Sequence, residues 1–188
     1  MAIEYSIEHK NKLLQVARES LQNFLGNGIR SVFLTEYVEL LNKRAVFVTL
    51  RKRDTGELRG CIGQTEAHRT LIDAVSRTAI SAAIDDSRFP QVNLNELANL
   101  LIEINVLTPM FPITPKNVVV GKHGLLLSKG TNRGLFLPEV AVSHGWDLHT
   151  FLDELCHKAG LPKSSWQDND TELNAFETES WEETENAL

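Results

Sequence analysis

The sequence predicts an α+β fold: a mixed, mostly antiparallel sheet flanked by helices, with a small strand-rich second lobe. Three observations carry this expectation. Helical and strand-like patterns do not alternate strictly along the chain, which disfavours a doubly wound parallel sheet. A β-branched and aromatic run, 45–50, and the segment 58–63 flank the turn residues Asp54, Thr55 and Gly56, as the arms of an antiparallel hairpin would. A chain of 188 residues buries roughly 70% of its unfolded surface, which suits one domain over 1–188. The three prolines within 108–115 mark a connector, so the smaller lobe is expected at approximately 109–145 inside that domain.

Taken in order, Ser6 caps a helix whose Leu14, Ala17, Leu21 and Leu25 recur at helical spacing, and Gly26, Asn27 and Gly28 stop it. Residues 45–50 and 58–63 follow as the hairpin. Thr70 with Asp73 three residues on resembles a capping box, and Ile72, Val75, Ala79 and Ala82 or Ala83 form one stripe. Those alanines let the helix lie close to a sheet. Asn93 with Glu96 opens a shorter helix, and 100–107 reads as a buried strand. Residues 118–120, 125–128 and 135–137 read as short strands between glycine turns. Asp147 caps a last helix with Leu148, Phe151, Leu152, Leu155 and Ala159 inward, ended by Gly160 and Pro162.

The net charge of -6 is uneven. From Asp168 onward there are eight acids and no lysine or arginine, leaving 17 acids against 19 bases before it. A near-neutral body lacks the basic footprint of a nucleic-acid binder. Lys43, Arg44, Arg51, Lys52 and Arg53 are a local exception, expected as solvated strand ends. Leu173, Phe176 and Trp181 give the acidic tail something to bury, so it is expected to pair with the main sheet. Two cysteines give no disulfide framework, and no signal segment or bilayer-length apolar run is present. The expectation is a reduced, soluble, cytoplasmic protein.

The most informative stretch is Leu58-Arg59-Gly60-Cys61-Ile62-Gly63. Strand alternation puts Arg59, Cys61 and Gly63 on one face. A guanidinium beside a thiol favours the thiolate, and the glycines Gly60 and Gly63 leave room for a ligand or another backbone. A buried thiol in a tightly packed sheet has the same local sequence. Arg59 either pairs with an acid or binds an anion, and the helix beginning near Leu71 offers free N–H groups to the same end.

This hexapeptide resembles the AMMECR family, whose prokaryotic members are called AmmeMemoRadiSam system protein A. The resemblance continues through Asp86-Ser87-Arg88-Phe89-Pro90, Ile104-Asn105-Val106-Leu107, Gly121-Lys122-His123-Gly124-Leu125 and Gly134-Leu135-Phe136-Leu137-Pro138. It ends with Trp146, Phe151-Leu152 and Lys158-Ala159-Gly160-Leu161. Asn105 stands where serine is expected, and Glu139 where glutamine is expected. The resemblance implies a component grouped with a Memo-like protein and a radical S-adenosylmethionine protein in a shared modification pathway.

The candidate site is Cys61, Arg59, Asp86, Arg88 and His123 as catalytic groups, with Gly60 and Gly63 lining a cleft for the ligand. Asp85 and Asp86 follow a helix end where acids oppose the dipole, so Arg88 is expected to compensate them. Cys156 sits among Leu152, Leu155 and Ala159 and is expected to be packing. His149, Asp153 and His157 have i,i+4 spacing on a solvated helix face, and His144 lies near the cap of that helix. No metal-ligand spacing occurs, so no metal or cofactor is expected. Two functions compete: a cysteine-dependent enzyme acting on a protein or small molecule, and a non-catalytic binding or adaptor module that presents a glycine-lined cleft to a peptide, an anion or a partner enzyme.

Overall fold

A computed structural model describes residues 5–184 and shows the α+β fold that the sequence predicts. The chain forms two compact units, each built on a four-stranded sheet. One unit comprises residues 5–107 together with 179–184; the other is Thr108–Thr178.

The first unit opens with α1 (Ile7–Asn27). The Ser6 side chain accepts from the His9 N–H, and Gly28 leaves the helix in the left-handed conformation, as the sequence anticipates. A single 3-10 turn at Val38–Leu41 leads to β1 (Val46–Lys52), which pairs antiparallel with β2 (Leu58–Gly63). Helix α2 (Leu71–Ile84) follows, then a 3-10 turn at Leu94–Asn99 and β3 (Leu100–Leu107), antiparallel to β1. Val46, Val48, Leu50, Ile62, Ile102, Ile104 and Val106 alternate onto one face of this sheet. They meet Leu13, Ala17 and Leu21 of α1 and Leu71, Val75 and Ala79 of α2 in one apolar core. Period two in the strands and 3.6 in the helices therefore bury a shared layer.

The second unit holds β4 (Phe111–Pro112), a 3-10 turn at Pro115–Asn117, β5 (Gly124–Lys129) and β6 (Asn132–Phe136). It continues with α3 (Pro138–Ser143), α4 (Leu148–Lys158), a 3-10 turn at Ser165–Gln167 and β7 (Glu172–Phe176). Its sheet runs β4-β7-β5-β6. Phe151, Leu152 and Leu155 of α4 pack with Leu125, Leu127 and Ala175 of the sheet. The unit thus extends past residue 145 to include α4 and β7.

Several local expectations are corrected. Thr70 makes no side-chain cap bond; Asp73 instead accepts from Arg69 and Arg77, which outcompete the capping box. Residues 118–120 follow the 3-10 turn as irregular chain leading into a turn rather than as a strand. The acidic tail does not pair with one sheet alone. Leu173 and Phe176 lie in β7 of the second unit, while Trp181 lies in β8 (Thr178–Glu182), beside β3 in the first. Just after β8, Glu183 forms a buried ion pair with Arg18 and accepts from the Ile102 N–H, which fixes the tail to α1 and β3. Among the described residues no helix is long and apolar enough to cross a membrane.

Candidate functional site

Strand β2 is the edge of its sheet, so one side of its backbone has no strand to pair with. Unpaired edge groups are costly when buried and invite other strands when exposed. Here the loop after α2 takes that place. The Cys61 N–H donates to Asp86 Oδ2 at 2.8 Å, and Arg88 donates to the Cys61 carbonyl at 3.4 Å. Arg88 also grips Asp86 through two nitrogens, Nε to Oδ1 at 2.9 Å and a terminal nitrogen to Oδ2 at 2.7 Å. The Arg88 N–H donates to Oδ1 as well, at 3.2 Å. A carboxylate and a guanidinium thus stand in for the acceptor and donor of a missing strand.

This geometry sets the chemistry of Asp86. Its side chain is almost fully buried, and four donors fill the roughly four lone-pair positions of a carboxylate. The bonds from Arg88, together with those from the Cys61 and Arg88 amides, hold it well below the usual carboxylate range despite burial, which pushes the other way. An acid so held is a poor proton acceptor. Asp86 acts here as an anchor for the loop.

Arg59 is tied into the same edge. Its Nε donates to Glu96 at 2.9 Å and a terminal nitrogen to the Pro90 carbonyl at 2.9 Å. The strand alternation that would place it beside Cys61 is interrupted. Leu50 pairs with Gly60 and Arg51 with Leu58, leaving Arg59 as the extra residue of a β-bulge. Its guanidinium is bound by Glu96 and Pro90, so thiolate activation by Arg59 finds no contact to rest on. The two glycines are occupied by the protein itself. A Cβ on Gly60 would lie 2.1 Å from the Ala82 carbonyl oxygen of α2, and one on Gly63 would lie 2.1 Å from the Phe47 ring.

Because Gly60 faces α2, Cys61 faces the other way, onto the second surface of the sheet. Opposite it stands Thr49, and opposite Thr49 stands Glu103. The Thr49 hydroxyl donates to Cys61 Sγ at 3.3 Å. Glu103 accepts from Arg51 at 3.3 Å and from Asn105 at 3.0 Å, and Ser180 donates to Asn105. Cys61 is half-buried and free, at the end of a polar row crossing the sheet. Thr49 escaped the sequence reading, although counting outward from the turn places it near Cys61. Glu96 and Glu103 escaped it because their partners are fixed only by the fold.

The other histidines and thiol fall elsewhere. His123 belongs to the second unit, where its Nδ1 accepts from the Val119 N–H at 3.1 Å and its ring meets Phe111 edge-on. Cys156 is fully buried in α4, and that burial pushes its thiol up. Asp153 approaches His149 at 3.6 Å but is also bonded by Trp166 and Ser164, while His157 sits near Glu154. Among the described residues no three His, Cys, Asp or Glu side chains gather as a metal site requires.

The AMMECR1 family model matches residues 14–181. Protein PF1979 of Pyrococcus furiosus is 42% identical over 91% of this chain and 86% of its own length. Protein MK0488 of Methanopyrus kandleri is 38% identical over 98% and 93%. The crystal structure of the uncharacterised protein PH0010 from Pyrococcus horikoshii superposes with a TM-score of 0.81 at 40% identity, covering 92% of this chain and 90% of that one.

Proposed function

This chain belongs to the AMMECR1 family, and from that premise and the geometry of β2 we propose that Cys61 is the working group of a cysteine-dependent enzyme. One observation carries the reading: the sulfur is half-buried at the end of a polar row and receives a hydrogen bond from the Thr49 hydroxyl. Sulfur is the nucleophile in thiol chemistry, and the Thr49 hydroxyl faces and orients it. The substrate is a protein or small molecule that reaches the polar face of the sheet. The Asp86–Arg88 clamp and Arg59 position β2 and do not move protons.

The pathway proposed for it is a cytoplasmic modification route shared with Memo-like and radical S-adenosylmethionine partners, a grouping implied by the family resemblance. Pull-down with a tagged chain checks it: retention of either partner type supports the grouping, and a chain that purifies alone from a cell producing both counts against it.

A second reading, a non-catalytic binding or adaptor module, has its own support. The carboxylates around the strand are engaged, Asp86 by Arg88, Glu96 by Arg59 and Glu103 by Arg51. None is left as an evident general base. Alkylation of the folded protein with iodoacetamide, read peptide by peptide, separates the two. Rapid modification at Cys61 with none at Cys156 supports the enzyme. A Cys61 that reacts only after unfolding leaves the binding module.

A further inference from the structure

On the α2 side of the same edge strand, a pocket of about 190 Å³ is lined by Arg30, Ile62, Gln64, Arg69, Arg77, Thr78 and Ser81. Three guanidiniums border it. Arg69 and Arg77 are four residues to either side of Asp73 on the α2 flank, and that carboxylate takes one nitrogen from each, at 3.1 and 2.8 Å. The cross-link orients both side chains and leaves the rest of each five-donor fork for another acceptor. Arg30 is held differently, with its guanidinium carbon 4.8 Å from the centroid of the Phe24 ring. Three arginines against one aspartate leave a formal surplus of two positive charges at the pocket. The hydroxyls of Thr78 and Ser81 and the Gln64 amide add neutral polar groups.

A second pocket of about 420 Å³ shares Arg69 with the first; Val32, Phe33, Leu41 and Ile72 give it an apolar wall, and Lys43, His68, Thr70, Ser76 and the Asp73 carboxylate that ties Arg69 to Arg77 form its polar side. His68 is paired with Glu66 at 2.8 Å. The smaller pocket falls below the roughly 300–1,000 Å³ of whole-ligand sites, and the larger falls within that range. We propose that these adjoining pockets form one site for a small phosphorylated molecule, its phosphate held by Arg30, Arg69 and Arg77 and its apolar body by Val32, Phe33, Leu41 and Ile72. A phosphate near its dianionic form matches the charge surplus better than a carboxylate does, and guanidinium forks fit its oxygens in pairs. The site is independent of Cys61, which faces the other surface of the sheet.

Isothermal titration calorimetry in chloride buffer tests this with inorganic phosphate, phenyl phosphate and phenol as probes. Phenyl phosphate should bind most tightly, inorganic phosphate on the order of tenfold more weakly, and phenol not measurably. Arg69→Gln and Arg77→Gln should each weaken both anions by about tenfold, the effect of a lost charge-assisted bond. Val32→Ser, at an exposed position, should weaken phenyl phosphate alone. These residues are surface-exposed, so unchanged melting confirms folded variants. The proposal is overturned if neither anion binds at millimolar concentration, or if the arginine variants bind as the parent does. It is also overturned if phenyl phosphate gains nothing over phosphate. Cys61→Ser should bind as the parent does, so failure here and failure of the enzyme reading are seen separately.

Discussion

The two cysteines sit in regions built on opposite terms. Cys61 lies on an edge strand, its amide and carbonyl taken by a charged loop and its sulfur by a threonine hydroxyl. Cys156 lies inside the apolar face of α4 among Leu152, Leu155 and Ala159, with its sulfur cut off from water. The same thiol is a polar group in one place and a small hydrophobe in the other. The difference lies in the surroundings: an edge must be capped with polar groups, and polar caps leave the strand beside them hydrated.

The comparison breaks most severely if the edge itself is displaced. Gly60→Ala puts a methyl group 2.1 Å from the Ala82 carbonyl, a backbone atom of α2 that cannot rotate away. The expected loss is about 3 kcal/mol in urea unfolding, the upper end for overpacking. A loss under about 1 kcal/mol would mean that helix and strand have slack. Gly63→Ala should cost less, because the Phe47 ring can turn.

Next in size is the clamp. Asp86→Asn keeps the shape but removes the charge that Arg88 grips, and should cost about 2 kcal/mol, since Arg88 is more than half exposed and partly screened. The pH dependence has a definite sign. The Asp86 carboxyl is depressed in the folded state, so its stabilisation is complete above the unfolded value of about 3.9 and is lost as pH falls below it. The gap between parent and variant should therefore be constant from pH 7 to about 5 and shrink toward pH 3. A gap that ignores acid would show that the carboxylate is not what holds the loop.

How much of this could be read in advance depends on how local the cause was. The caps of Ser6, Asn93 and Asp147, the hairpin turn at Asp54 to Gly56 and the Asp86–Arg88 pairing follow from residues within a few positions of one another, and each is present. The reading failed where tertiary partners decide. The bulge at Arg59 and its capture by Glu96 come from the meeting of β2 with a distant turn. The room beside Gly60 and Gly63 looked like access and is close packing, because a missing Cβ has the same sequence signature in both cases. The tail's division between two sheets falls at Glu177, the residue between β7 and β8, and no pattern in an acidic segment marks such a switch.

Smaller effects sharpen the comparison at the sulfurs. Cys156→Ser buries a hydroxyl beside Leu152, Leu155 and Ala159, with the Trp166 and Ser165 backbone amides its polar neighbours, and should cost about 1–3 kcal/mol, whereas Cys61→Ser keeps a polar partner in Thr49 in a half-buried site and should cost under about 1 kcal/mol. Denaturant unfolding of both variants gives the two numbers side by side. Equal costs would mean that the row beside Cys61 is as unforgiving as the core of the second unit.

The smallest structural change makes the finest test. Thr49→Val preserves the shape of a buried, β-branched strand residue and removes the hydroxyl that donates to Cys61 Sγ. Little stability is at stake, because the lost bond to a sulfur is weak and the added methyl is buried. Reactivity is a different matter, since the charged sulfur is the attacking species and Thr49 is the donor that faces it. Iodoacetamide should modify Cys61 in Thr49→Val about threefold more slowly than in the parent, with melting unchanged and Cys156 still unlabelled until the protein unfolds. An unchanged rate would leave Thr49 as a packing residue and remove the observation on which the enzyme reading rests. A faster rate would mean that the hydroxyl shields the sulfur, and the polar row would then be a way of keeping this thiol quiet.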